Sequence, residues 1–392
     1  MKQKSKRILF IYSDDYPWDV RLEKEAKVLL QNGYEIHILA DNSKNLTKKE
    51  VIDNIYIHRA KSIFANNRVL KIISYYPLWI YEIFKHVMKI NPSLIIAREI
   101  QLALPVIIIN KIFNKKLIFD IAEHFPALIK SNIKNISNPI TNFLFCKLDL
   151  YKYFEQSINS ADAIFVVIEE SKKRLIKEHN IEADKIFIVS NTPSVIGCKA
   201  HIFNKDEKLK IVYTGNIDGK FRGIHTLVEA ANILKYNSSI EFNIIGDGVC
   251  LDSLQKYCKE NNIKNINFLG RKSHNYLLEY LATQDLGIVP HTKSDVVEYT
   301  IPNKLFDYMS NSLPVIVSSA TPLKRIVEET DCGYVFEAEN PENLANLILS
   351  LENRKQEFIN KSKNGCKAIL EKYNWENDAR ILKDVVEKFL NK

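Results

Sequence analysis

The chain has 392 residues, 46% hydrophobic, 26% charged and 10% aromatic, with a formal net charge of +8. At about 150 residues per domain this is a soluble globular protein of two domains with ample core. No uncharged apolar run reaches the about 18 residues of a spanning helix, and Met1–Arg7 leads straight into Ile8–Tyr12, too short for a secretory leader. Cysteines 146, 198, 250, 258, 332 and 366 show no CxxC pair and no Cys/His ligand spacing. A disulfide framework and a zinc site are therefore not expected, and a reducing cytoplasm fits.

Short apolar runs alternate with amphipathic stretches along the chain. In the first half the pattern predicts strands at Ile8–Tyr12, Ile36–Ala40, Leu94–Ala97, Leu117–Asp120, Ala163–Val167 and Ile186–Ser190. A helix is predicted at Arg21–Gln31, stopped by Asn32-Gly33. The rhythm restarts with Leu209–Thr214, Phe242–Ile245, Ile266–Leu269, Leu286–Val289 and Pro314–Ser318. Strands apolar on both faces and separated by helices belong in parallel sheets, so the fold class is α/β with two doubly wound, Rossmann-like domains facing across a cleft. The boundary falls at Asn191-Thr192-Pro193-Ser194 and on to about Lys208. This gives domains at 1–190 and 191–370, with a C-terminal helix at 371–392 packing back toward the first.

Charge and glycine divide unequally between the halves. Residues 1–190 hold 29 Lys and Arg against 21 Asp and Glu, whereas residues 191–392 hold 26 of each. Only Gly33 lies in the first half, and the other ten glycines follow it. A phosphate cradle needs glycine, because backbone N–H groups must approach the anion without a Cβ in the way. The absence of GxGxxG from the first half, and of GxxxxGK[ST] anywhere, argues against a nicotinamide or flavin Rossmann enzyme and a P-loop NTPase.

Chemistry concentrates after the strands of the second half. Val212–Gly223 (VYTGNIDGKFRG) is a strand, a glycine-rich loop and the start of a helix, with Lys220 and Arg222 at the helix start. Amide donors, the positive helix end and a guanidinium make a diphosphate site there, with an ordinary turn and a solvated Arg as the plainer reading. Glu298–Met309 (EYTIPNKLFDYM) places Asp307 at a predicted helix start, where a carboxylate accepts two ribose hydroxyls or balances the helix dipole. Asn303 and Lys304, after Pro302, stand where they meet phosphate or sugar oxygens.

These stretches, with Ile244-Ile245-Gly246-Asp247-Gly248 and Phe268-Leu269-Gly270-Arg271, resemble the donor domain of glycosyltransferase family 4, of GT-B fold. The first half resembles that family in Asp19–Ala26 (DVRLEKEA) and Ile118–Pro126 (IFDIAEHFP), so the likeness spans nearly the whole chain. It implies a metal-independent, retaining transferase, with a nucleoside-diphosphate sugar as donor and no cofactor. The family's diphosphate-binding Arg and Lys fall on Asn216 and Arg222, and its paired glutamates on Tyr299 and Asp307. Arg222 and Asp307 keep the charge of the family residues, while Asn216 and Tyr299 do not, and Lys220 is placed to compensate for Asn216. The family's catalytic-site histidine falls on Ala122, flanked by Glu123 and His124. The implied site is thus Arg222, Glu123 and His124 for catalysis. Gly215, Asn216, Lys220, Gly246, Arg271, Tyr299, Pro302, Asn303, Lys304 and Asp307 hold the donor, Arg271 by stacking on the base. A lipid-linked or surface glycan in a bacterial envelope pathway is the implied acceptor.

Three points stay open at this level. Arg21 opens a helix beside Asp14, Asp15 and Asp19, where it orients the acceptor, meets a phosphate or makes a surface ion pair. Glu123 and His124 are equally readable as packing residues. The stretches Arg68–Ile90 and Ile140–Phe154 mix aromatic and basic residues, which suits an anionic membrane surface, or core helices with lysines reaching outward. Nucleic acid is not an expected partner, since the pI of about 8.9 is modest and no binding motif occurs. Two rival functions remain: a GT-B nucleotide-sugar epimerase using His291, and an inactive partner subunit, suggested by Ala122, Asn216 and Tyr299.

Overall fold

The computed structural model describes residues 6–17, 19–60, 68–131, 150–195, 203, 208–218 and 220–390, without the side chains of 68–73, 274 and 275. The chain divides into two compact units, one of residues 1–191 with 378–392 and one of residues 192–377.

The first unit is built on β1 (Arg7–Asp15), whose Ile8, Leu9, Phe10 and Ile11 are all fully buried. Burial on both faces makes it a central strand, and it pairs in parallel with β2 (Glu35–Asp41) and later with β5. Between them runs α1 (Val20–Gln31), started by Asp19, whose carboxylate accepts from the Leu22 N–H at 2.7 Å. Next come β3 (Lys49–Ile52), β4 (Ile55–Arg59), α2 (Arg68–Ile90), β5 (Leu94–Arg98), α3 (Ala103–Phe113) and β6 (Lys116–Ile121). The unit continues with α4 (Phe125–Ser131), α5 (Leu150–Ser157), β7 (Ala163–Val166), α6 (Glu169–His179) and β8 (Ile186–Ile188). The sheet order is β3-β4-β2-β1-β5-β6-β7-β8.

The second unit contains β9 (Leu209–Thr214), α7 (Ile224–Ile233), β10 (Ile240–Ile245), α8 (Leu251–Glu260), β11 (Ile266–Gly270), α9 (His274–Leu281) and β12 (Leu286–Val289). It continues with α10 (Asp295–Glu298), α11 (Asn303–Ser310), β13 (Val315–Ser318), α12 (Thr321–Thr330), β14 (Gly333–Phe336), α13 (Pro341–Leu351) and α14 (Lys355–Glu371). All strands are parallel, in the order β11-β10-β9-β12-β13-β14, which reverses direction at β9. Loops after β9 and β12 therefore flank the position where doubly wound sheets bind ligands. The last helix, α15 (Trp375–Leu390), starts in this unit, where the Trp375 N–H donates to Pro193 O at 2.8 Å. From Asp378 on it belongs to the first unit, where the Lys388 amine lies 5.7 Å from the Phe187 ring centre.

Each predicted strand is present. The hairpin β3–β4 and the edge strand β14 are additions. Asp53 and Asn54, at φ 49° and 66°, form the two-residue turn of the antiparallel hairpin. Against the expectation of no disulfide framework, Cys366 is disulfide-bonded. Cys250, Cys258 and Cys332 are free. Residues 140–149 of the second aromatic-basic stretch, Gly197 and Gly219 also lie outside the described residues. Among the described residues no helix is long and apolar enough to cross a membrane.

Three histidines are buried between β2, β4 and α2. His37 Nδ1 and His58 Nε2 are 3.0 Å apart, and the His58 ring centre lies 5.1 Å from that of His86. Burial, then the neighbouring His86 and His37 and the more distant Lys49 and Lys89, push the His58 imidazole down to about 3. An unfolded histidine titrates near 6.5, so between those values the unfolded chain holds a proton that the fold refuses. Stability from this group is complete above about pH 6.5 and is lost as pH falls toward 3. Thermal unfolding from pH 7 to pH 4 is expected to show a shallower fall in Tm for His58→Phe than for the wild type. Parallel curves would place the acid sensitivity elsewhere.

Candidate functional site

In the second unit the site grows from the end of β9. Gly215 follows the strand at φ +123°, with its N–H on Ile245 O at 2.9 Å. A Cβ here would lie 2.9 Å from Lys304 Nζ, so only glycine lets the lysine cross the loop at this height. Lys304 arrives from the first turn of α11, and its amine lies 3.7 Å from the centre of the Tyr213 ring. That amine is buried and has no hydrogen-bond partner.

Two anchors fix this geometry. The Tyr308 hydroxyl, deep in the core, accepts from the Thr214 N–H at 2.8 Å and ties α11 to the end of β9. Gly223 caps α7 at φ +67°, and a Cβ on it would fall 1.6 Å from Pro290 O, so the loops after β9 and β12 touch backbone to backbone. The Thr292 N–H on Phe221 O, at 3.0 Å, holds the same junction. Arg222 sits just before it with its Nε buried and unpartnered, and His291 just after Pro290 with its Nε2 in the same state.

These groups feel one another. Burial, then the Arg222 guanidinium, push the Lys304 amine far below its usual range, with Asp307 pulling the other way. Burial, then Lys304 and Arg222, likewise push the His291 imidazole well down. The result is a cluster of the Arg222 guanidinium, a lysine amine and a histidine imidazole whose protonated forms are both disfavoured, and a bound anion would relieve that.

The other residues read as donor contacts lie as follows, with one correction. Asp307 lies on the second turn of α11, not at a helix start, because Pro302 is the cap and Asn303 the first helical residue. Gly246 sits below the loop, where a Cβ would meet Gly215 O at 1.9 Å. Asn216 is exposed and uses its backbone O to accept from the Tyr213 hydroxyl at 2.7 Å. Lys220, Arg271 and Asn303 are exposed, and Tyr299 is half-buried just after α10. Glu298, next to Tyr299, accepts from the Thr321 N–H at 3.1 Å at the start of α12. Among the described residues no three His, Cys, Asp or Glu form a metal-binding group.

The first unit presents a different arrangement at the ends of β1, β5 and β6. Arg21 is almost fully buried, donating to the Asp120 carboxylate and to Val189 O at 2.7 Å. Arg98 bonds the other side of Asp120. The expectation that Arg21 contacts an acceptor or makes a surface pair is corrected: its donors are engaged inside the fold, where it braces β6 against β8's exit. Despite its burial, Asp120 is held below the usual carboxylate range by Arg21 and Arg98. Glu123 is exposed, while His124 is half-buried and lies within electrostatic reach of the buried Glu155. Burial pushes Glu155 up, but hydrogen bonds from Arg174 and His179 bring it to about 2.

Glu99 is a residue the sequence reading missed. It follows β5 at φ +63°, a conformation costing a non-glycine residue about 1–3 kcal/mol. Its Oε1 accepts from the Ala122 N–H at 3.1 Å, so it holds the loop of Ala122, Glu123 and His124, and its Oε2 is buried without a hydrogen-bond partner. Burial, opposed by Arg98 and aided by Glu123, raises the carboxyl to about 8. The signal available in sequence was its place directly after a parallel strand.

Two parallel α/β units of this kind define the GT-B fold, and solved structures of that fold match over nearly the whole chain. A structure of HepE from Anabaena in complex with UDP superposes with a TM-score of 0.72 at 14% identity, covering 97% of this chain and 100% of that one. Residues 199–367 match the family model of glycosyl transferases group 1. The poly(ribitol-phosphate) alpha-N-acetylglucosaminyltransferase of Staphylococcus aureus is 24% identical over 95% of this chain and 74% of its own length. An uncharacterized glycosyltransferase of Methanocaldococcus jannaschii is 24% identical over 60% of this chain, and the match spans 62% of that relative's length. Fold, family match and relatives together support a GT-B glycosyltransferase.

The low proton affinity of the Lys304 amine in the free protein has a measurable consequence. A bound diphosphate would raise that affinity, so binding should take up a proton and weaken as pH rises. Calorimetric titration with UDP and GDP at pH 7.5, in buffers of different ionisation enthalpy, is expected to show uptake of part of a proton. Lys304→Met should abolish the buffer dependence. Wild-type heats that do not depend on buffer would remove Lys304 from the anion site.

Proposed function

We propose that the protein is a retaining glycosyltransferase of family 4 type. In this reading it moves a sugar from a nucleoside-diphosphate sugar to a glycan or lipid-linked acceptor in the synthesis of a bacterial surface polysaccharide. The observation behind this reading is the buried, unpartnered Lys304 amine beside Arg222, at the glycine turn after β9. An anion bound there would favour the charged form of Lys304, and a diphosphate would offer one phosphate group to each side chain. The HepE structure is described as a complex with UDP, and the Staphylococcus relative is named for transfer to a phosphate-linked polymer, which supports the donor and acceptor classes.

On this reading the diphosphate leaves with growing negative charge, and Arg222, Lys304 and loop amides stabilise it from fixed positions. The acceptor O–H bond breaks as its oxygen bonds the anomeric carbon on the face the phosphate leaves. The proton passes to a phosphate oxygen of the departing diphosphate. Asp307 accepts the ribose hydroxyls, and no cofactor is required beyond the donor substrate itself. A cytoplasmic location follows from the donor class.

Thermal shift with UDP- and GDP-sugars tests the donor, since occupancy at 100 times Kd stabilises the folded state by about 2.7 kcal/mol. Product analysis then separates transfer from epimerisation, and turnover by the purified chain separates an enzyme from an inactive partner subunit. Arg222→Ala is expected to lower turnover about 10²–10³-fold, the scale of losing one preorganised donor to a developing anion. Wild-type turnover in that variant would move the diphosphate site elsewhere. Asp307→Ala should raise the donor KM by roughly 10-fold with a smaller loss of kcat, because ribose contacts are alike in ground and transition states. An unchanged donor KM would take Asp307 out of the site.

A further inference from the structure

Helices α2 and α3 of the first unit pack side by side and turn outer faces of one composition to solvent. On α2, from Ser74 on, the exposed positions are Pro77, Tyr81, Phe84, Lys85, Met88 and Lys89. On α3 they are Leu104, Ile108, Lys111 and Ile112. Every one is apolar, aromatic or lysine, and none is acidic. Tyr81, Phe84, Met88, Leu104, Ile108 and Ile112 are 37–63% exposed, at spacings that line each up along one face of its helix. The Phe84 and Phe113 rings, 5.5 Å apart, join the two rows into one patch.

The acidic residue of this part of α2, Glu82, is turned inward and nearly fully buried, where it bonds Lys85 at 3.0 Å. Lys49 of the neighbouring edge strand stands against Lys89, which lowers the Lys49 amine's affinity for a proton and extends the positive border. Apolar rows of this size on a soluble surface mark an interaction site. The exposed border is lysine, its one carboxylate, Glu82, being turned inward beneath Lys85, and this specifies the sign of the partner.

We propose that the paired outer faces of α2 and α3 dock on the headgroup region of an anionic lipid bilayer. Tyr81, Phe84, Met88, Ile108 and Ile112 enter the boundary between headgroups and chains, while Lys85, Lys89 and Lys111 reach the phosphates. Docking this way uses an exposed face of one unit and does not depend on the transferase reading. The sequence pattern pointed to Arg68–Ile90 and Ile140–Phe154 and not to α3, whose mostly apolar exposed positions complete the surface.

The test is sedimentation of the full chain with vesicles of phosphatidylcholine, with and without equimolar phosphatidylglycerol, at low and high salt. The protein should pellet with the anionic vesicles only, and high salt should release it. Lys85→Glu/Lys89→Glu should lower the vesicle partition coefficient at least 25-fold, from roughly fivefold per basic residue removed from the surface. Ile108→Asn/Ile112→Asn should lower it at least tenfold, from roughly a few-fold for each buried apolar side chain. All four positions are exposed, and unchanged Tm values will show that the variants fold. Equal pelleting with neutral vesicles, or none with anionic ones, would overturn the proposal. So would gel filtration showing a dimer that the Ile108/Ile112 variant dissociates, since the face would then belong to a second copy of the chain. None of these results depends on donor turnover, so failure here and failure of the enzymatic reading are separable.

Discussion

The Lys304 amine sits over Gly215 and against the face of Tyr213 with no hydrogen-bond acceptor, and burial and then Arg222 lower its affinity for a proton. Burying an isolated charge costs several kcal/mol, and a methionine of similar length would fill the same space without that cost. Much of the second unit is arranged so that this lysine fits nonetheless. Glycine at 215 clears its path, and the Tyr308 hydroxyl fixes the end of β9 through the Thr214 N–H. Glycine at 223 lets the loop after β12 close over Arg222's own turn. Together these features hold the Lys304 amine in place beside the glycine turn after β9.

How far this was visible in the sequence differs from residue to residue. Strands such as Ile8–Ile11 and Leu209–Thr214 were legible because burial on both faces leaves continuous apolar runs. The hairpin at 49–59 was not, because Val51 and Tyr56 are exposed, both strands are short and β3 lies at the sheet edge, although Asp53-Asn54 is a turn signal. Arg222 and Lys304 were legible through glycine spacing and through Pro302 at a helix start. The role of Glu298 was not, since only the fold brings Thr321 beside it across 23 residues. Arg21 misled for the same reason: its partner Asp120 is 99 residues away.

The two units treat charge in opposite ways. In the first, Arg21 and Arg98 share Asp120, with Asp19 on Arg98. Glu25 beside them is raised to about 8 by burial and by Asp120, so the buried cluster is close to self-neutral. Such a network gives up little to a ligand and defines where the ends of β1, β5 and β6 lie. Glu99 extends that rigidity to Ala122, Glu123 and His124 through one carboxyl-to-amide bond, at a backbone conformation that only a constrained loop sustains.

The excess positive charge of residues 1–190 thus has to lie outside the core, and the lysines bordering α2 and α3 are part of it. Residues 191–392 carry no net charge, yet the buried Lys304 amine and the Arg222 Nε have no hydrogen-bond partner. Surface charge acts at a Debye length of about 8 Å and falls with salt, whereas the buried Lys304 amine and the half-buried Arg222 beside it are screened less. The outer face therefore suits a weak, extended and salt-sensitive partner, and the inner site a compact anion held by direct contact. A chain that needed only to be soluble would have no reason to separate its charges in this way.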